Sequence, residues 1–232
     1  MTTFQYALRA QSVRALQEIP KSDLHNHAYA GGNREWVARA TGRDISPLER
    51  PLNSMHEWVD RQFGSVFAGP EGRLKAFEAT FVQARYDGVT RLEVGEDAWA
   101  ITLFDDDAAR LTSSLADIHR RLAPDIEWIP QLGMSRHCSV AKLTTWLEPF
   151  LELGFYKSVD LSGDELSQPI ENFKPLYRMA KDAGLRLKAH AGDVLVFGRG
   201  VSEEFFSRFQ AKVFSEDELE SIRLAGLTDS QS

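Results

Sequence analysis

The chain has 232 residues, is 43% hydrophobic and carries 34 acidic against 27 basic residues, for a net charge of −7. That length supports one substantial core, read as a single domain over residues 1–232, and an acidic balance with no Lys/Arg block speaks against nucleic acid or an anionic membrane as partner. Cys138 is the only cysteine, MTTFQYALRA has no signal-like pattern, and no run of about 18 apolar residues occurs, so a soluble cytoplasmic protein in a reducing compartment is expected.

In chain order, SDLHNHAY (22–29) is the first β-like run, and the two-proline stretch GRDISPLERPLNS (42–54) is the best candidate for an excursion from the fold. Leu74, Phe77 and Phe81 then mark a helix stripe, Gly88 stands where its C-cap belongs, and VTRLEVGE (89–96) reads as the second strand. Asp105, Asp106 and Asp107 supply capping charge to a helix striped by Leu111, Leu115, Ile118 and Leu122, ahead of the strand IEWIPQLGM (126–134). A helix through Val140, Leu143, Leu147 and Leu151 precedes YKSVDLSG (156–163), and Gly184 caps a helix before LRLKAHAG (185–192). Ser215 and Glu218 form a capping box near the C-terminus. Strand and helix alternate throughout, which predicts a parallel α/β architecture.

Residues i and i+2 of a strand share a face, so His25 and His27 point into one space, with Asp23 expected on the same face beneath them. Two imidazoles so placed fill half of a tetrahedral zinc site without a loop to close. His190 ends the fifth strand, while Asp160, Gly163, Asp164 and Glu165 end the fourth. In parallel barrels and open sheets the carboxyl ends of the strands lie on one face, where active sites are built. His56 and His119 fall on helices and read as solvated surface. His137 and Cys138 border the third strand, and Cys138, without a paired base, reads as a small hydrophobe.

The ordered motifs PKSDLHNHAYAGG, GMSRHCS, VDLSGDE and LKAHAGD, from about Pro20 to Asp193, resemble the strand-end motifs of adenosine deaminase-like, metal-dependent amidohydrolases. The resemblance implies a (β/α)8 TIM-barrel type of fold and zinc-dependent hydrolytic deamination of adenosine or a related small aminopurine. It places His25, His27 and His190 as metal ligands, Asp193 in the slot of the catalytic acid, where the family uses glutamate, and Gly163 where a backbone amide contacts the purine. Tyr29 stands where adenosine deaminases hold the ribose with aspartate, which points away from adenosine itself. After His190 the family continues through two more strands, supplying a histidine beside the metal water and an aspartate ligand. Here the chain runs from HAG into a segment resembling the stretch beyond the family's last strand. An internal deletion is therefore expected, with five recognisable strands, an incomplete barrel and open edges that invite a homo-oligomer. Two other readings compete: a non-catalytic remnant that only binds a metal or ligand, and a metal-dependent phosphohydrolase. Against the latter, no basic cluster is placed for phosphate.

Overall fold

The computed structural model describes residues 1–28, 31–46, 58, 61–64, 67–190 and 214–228. Two short helices, α1 (Thr3–Arg9) and α2 (Val13–Gln17), lead into β1 (Lys21–His27) and α3 (Arg34–Thr41). Then come α4 (Pro70–Asp87), β2 (Val89–Asp97), α5 (Ala108–Leu122), β3 (Glu127–Ser135), α6 (Val140–Glu152), β4 (Ser158–Ser162), α7 (Lys174–Asp182), β5 (Arg186–Ala189) and α8 (Glu216–Thr228). All five strands are parallel and pair in the order β1-β2-β3-β4-β5. Sequential parallel strands joined by helices are the first part of a (β/α)8 barrel, and the five expected strands all form. Residues 47–54 of the expected excursion, with His56, lie outside the described residues.

The alternation that builds the strands also sorts their faces. Leu92 and Val94 of β2, Leu132 and Met134 of β3, and Val159 and Leu161 of β4 point outward into one core with Phe77 and Phe81 of α4, Leu111 and Leu115 of α5, and Leu143 and Leu147 of α6. The opposite face carries Glu93, Gln131, Ser158, Asp160 and Lys188, linked to one another or to the histidines. This face is concave. Neighbouring strands stand about 4.8 Å apart, so β1 and β5 would be about 19 Å apart in a flat sheet with side chains pointing the same way. Instead the rings of His25 and His190 meet across the gap, their centroids 4.6 Å apart.

The punctuation marks behave as read. Asp107 caps α5 by accepting from the Arg110 amide, and Ser215 with Glu218 closes the capping box of α8. Gly88 (φ +74°) is the left-handed C-cap of α4, and Gly184 (φ +80°), also left-handed, directly follows Ala183, the C-cap of α7. A Cβ at Gly88 would also strike the Gln17 carbonyl, whereas at Gly184 it meets open space. Gly184→Ala is therefore expected to cost about 1–2 kcal/mol, and Gly88→Ala about 1–3 kcal/mol more, read from urea unfolding midpoints.

The C-terminal helix returns to the first strand. Arg223 donates to the Pro20 carbonyl at 2.7 Å and Arg91 to that of Gly226 at 3.3 Å, while Arg9 pairs with Glu216 at 2.7 Å. In a closed barrel the eighth strand neighbours the first, so a final helix packs beside β1. The position of α8 fits a loss of chain between β5 and that helix. Among the described residues no helix is long and apolar enough to cross a membrane.

Two expectations need correction. His119 is half-buried, not solvated: its Nε2 lies 2.8 Å from the Ile126 carbonyl oxygen, and its ring packs between Phe81 and Trp128. Its helix turns that face inward at the end of α5, where Ile118 also enters the core. Asp23 does not sit beneath the histidine rings, for a reason that lies in the strand itself. The β1–β2 register slips between Asp23, opposite Leu92, and Asn26, opposite Val94. That bulge breaks the alternation, and the Asp23 carboxylate instead accepts from the His25 backbone amide at 3.2 Å and the Asn26 side chain at 2.6 Å.

Candidate metal centre

Three imidazoles converge at the carboxyl ends of the strands. His25 Nε2 lies 3.1 Å from His27 Nε2 and 2.6 Å from His190 Nε2, and the latter two are 3.1 Å apart. The rings stand edge to face, with interplanar angles of 75–85°, so the three nitrogens face one another. His25 reaches this point from the bulge itself and His27 from just beyond it, while β5 delivers His190 immediately after Ala189.

A fourth group joins them, one that motif reading left without a role at the metal. Asp160 Oδ2 lies 3.1 Å from His190 Nε2 and 3.9 Å from His25 Nε2, with its side chain 1% exposed. One ligand atom from each of His25, His27, Asp160 and His190 lies within 4.8 Å of every other. Oδ2 is buried without a well-aligned hydrogen bond, an arrangement that costs about 1–3 kcal/mol unless something satisfies it. Its signal was present in the sequence: in SVDLS, a carboxylate sits at the centre of a strand buried at all but its last position.

This donor set fits a zinc ion. Zinc ligands at about 2.0–2.1 Å in a tetrahedron stand about 3.4 Å apart, so the nitrogens need to spread by less than about 1 Å. The electrostatics agree. Burial lowers the His25 pKa below its ordinary value, favouring the neutral imidazole that a metal requires. For Asp160, burial acts against ionisation, but the nearby His190, with His25 and His27 beyond it, outweighs that and holds the carboxyl below the usual range.

Gly163 directly follows β4 with φ +99°, a left-handed conformation, and a Cβ there would come 3.2 Å from the His137 ring. His137 Nδ1 in turn lies 3.1 Å from the Ser167 hydroxyl. Cys138 is half-buried, packs on the main core, and has its thiol pKa raised by burial, all of which suit a hydrophobe. Tyr29 and Asp193 lie outside the described residues.

No family model matches the sequence. A curated protein of Treponema pallidum (strain Nichols), named "Putative adenosine/adenine deaminase", is 26% identical over 186 residues, covering 79% of this chain and 62% of the relative. Among solved structures, adenine deaminase from Arthrobacter aurescens superposes with a TM-score of 0.55 at 19% identity, covering 82% of this chain and 60% of that one. An amidohydrolase from Burkholderia ambifaria, solved with bound Zn, gives a TM-score of 0.57 at 19% identity, covering 76% of this chain and 53% of that one. The chain thus spans about three-fifths of the length of the curated relative. The resemblance to adenosine deaminase-like amidohydrolases, read from four motifs, recurs in the curated relative, and the solved structures share the fold.

Proposed function

We propose that this chain is a zinc-binding derivative of the deaminases it resembles, with His25, His27, His190 and Asp160 holding the metal. The observation that carries this reading is the meeting of three Nε2 atoms with the buried Asp160 Oδ2. It also changes the role left for Asp193. One carboxylate cannot be both metal ligand and proton donor, since a ligand stays ionised and a donor carries a proton. Asp160 takes the ligand role, which leaves Asp193, three residues after His190, as the donor to a ring nitrogen. Gly163 and Tyr29 are the groups proposed to meet the purine.

A bound zinc ion supplies Lewis acidity, which makes hydroxide available near neutral pH. The reaction supported is hydrolytic deamination: water oxygen adds to the amino-bearing ring carbon, the C–N bond breaks, and ammonia leaves. The protein's share is to present His25, His27, His190 and an ionised Asp160 on one face.

What the cluster lacks sets the rate. Among the described residues no fourth imidazole joins it: His119 is engaged with Ile126 and His137 with Ser167. Losing an orienting or electrostatic group typically costs about 10²–10³ in rate. The expected result is about one zinc per chain by elemental analysis, with ammonia release from a panel of aminopurines slower than about 10 s⁻¹, the median enzyme value. Because Tyr29 stands in place of aspartate, adenosine is not preferred over free bases or modified aminopurines. A zinc-free chain, or kcat/KM for adenosine far above that for every base, would contradict the reading.

A further inference from the structure

We propose that Lys188 is a positioning residue, whose ammonium ties β5 to the bulge of β1 and thereby sets the distance from His190 to His25 and His27. The inference rests on the metal reading above. Its basis is a polar network on the concave face to which every strand contributes. Lys188 Nζ donates to the Leu24 carbonyl at 2.5 Å and to Gln131 Oε1 at 3.3 Å, and lies 3.0 Å from Glu93 Oε2. An ammonium has three donors, and here it meets three acceptors, one each on β1, β3 and β2. Glu93, with its side chain 2% exposed, is held in turn by the Ser158 hydroxyl at 2.5 Å and by Arg186 at 3.3 Å.

The tie matters because, among the described residues, no backbone ladder fixes the gap it spans. β1 and β5 are the two ends of the sheet order, with three strands between them, so small changes in curl accumulate across the intervening interfaces before they reach the histidines. Leu24 is available as an acceptor because the bulge leaves Leu24 and His25 without partners in the β1–β2 register. The same irregularity therefore aims His25 at the site and offers the carbonyl that receives Lys188. Lys188 is two residues before His190 and shares its face, about 6.6 Å below it along the strand. The tie thus lies directly under the point where the ligands meet. A methionine at 188 would keep the apolar stem and its length while removing all three donors.

The test compares wild type with Lys188→Met by zinc affinity and by the visible spectrum of the Co²⁺-loaded chain, with far-UV circular dichroism as the check on folding. The expected result is an unchanged dichroism spectrum, zinc affinity at least about 10-fold weaker, the range for groups that orient metal ligands, and loss of the intense bands of tetrahedral Co²⁺. Affinity and Co²⁺ spectrum equal to wild type would overturn the proposal. If Lys188→Met does not fold, Lys188→Gln, which is too short to meet all three acceptors, is judged by the same two outcomes. If wild type itself takes up neither Zn²⁺ nor Co²⁺, the metal reading fails, and the tie is judged separately from the distance between nitroxides at exposed Glu18 and Asp182, which precede β1 and β5, in a Cys138→Ser background. Lys188→Met should then lengthen or broaden that distance, and an unchanged distribution would sink the tie as well.

Discussion

Replacing His190 by alanine is expected to strip the chain of zinc, weakening affinity by about 10²-fold or more, because it removes a proposed direct ligand where even outer partners are worth about 10–100-fold. Asp160→Asn is expected to fall in the range of about 10–100-fold: the side chain keeps its size and the sheet its packing, but the buried Oδ2 beside His190 loses its charge. The measurement is metal content after dialysis, with competition against a chelating indicator to give the affinity. His137→Ala should leave the zinc content of the chain unchanged, since its Nδ1 faces Ser167. His119→Ala should do the same while lowering stability, since that ring packs against Phe81 and Trp128 at the far end of α5. Equal zinc content in wild type and His190→Ala would remove His190 from the site. Retention in Asp160→Asn alone would leave a three-histidine site and return the ligand question to Asp193.

The largest loss of stability away from the metal is expected from Arg73→Met. Arg73 lies in the first turn of α4 and Glu96 near the end of β2, with side chains 5% and 2% exposed. They form a paired contact, Nε to Oε2 at 3.1 Å and Nη2 to Oε1, while Glu96 Oε1 also accepts from the Asp97 amide at 2.8 Å. The guanidinium packs over the Trp99 ring, 5.0 Å from its centroid, and Trp99 Nε1 donates to Asp97 at 3.1 Å. Burial is so complete that the Glu96 pKa is raised despite the adjacent Arg73. Removing one partner strands the other in the interior, at a cost of about 3–5 kcal/mol. Replacing both, as Arg73→Met with Glu96→Leu, should recover more than half of that loss, because buried ion pairs often exchange for apolar pairs at little net cost. Urea unfolding of the two single variants and the double variant gives the coupling energy directly. A single-variant loss below about 1 kcal/mol, the scale of an exposed pair, would show that the two groups are solvated.

The sequence by itself determined the element order, the five strands, the helix stripes and the helix ends at Gly88, Gly184 and Ser215, because each depends on a local period or a backbone angle. It also put His25 and His27 together at the end of β1, but the bulge that displaces Asp23, equally two residues from His25, shows that spacing by two does not by itself set a shared face. Even the polar concave layer was partly written in the strands, where Glu93 and Asp160 sit between the outward-facing apolar pairs Leu92–Val94 and Val159–Leu161. What the sequence did not determine is which of these polar groups meet. Asp160 becomes a metal candidate only because β4 lies next to β5 and the sheet curls, bringing residues far apart in the chain, from His25 to His190, to one point. Asp23 was misplaced for the complementary reason: a slip against β2 is a property of strand pairing, and no periodicity within β1 announces it. His119 obeyed the same rule, its burial set by Phe81 and Trp128 from other elements. Local chemistry is fixed by covalent spacing, whereas the identity of a site's distant members is fixed by register and curvature, which exist only once the strands have paired.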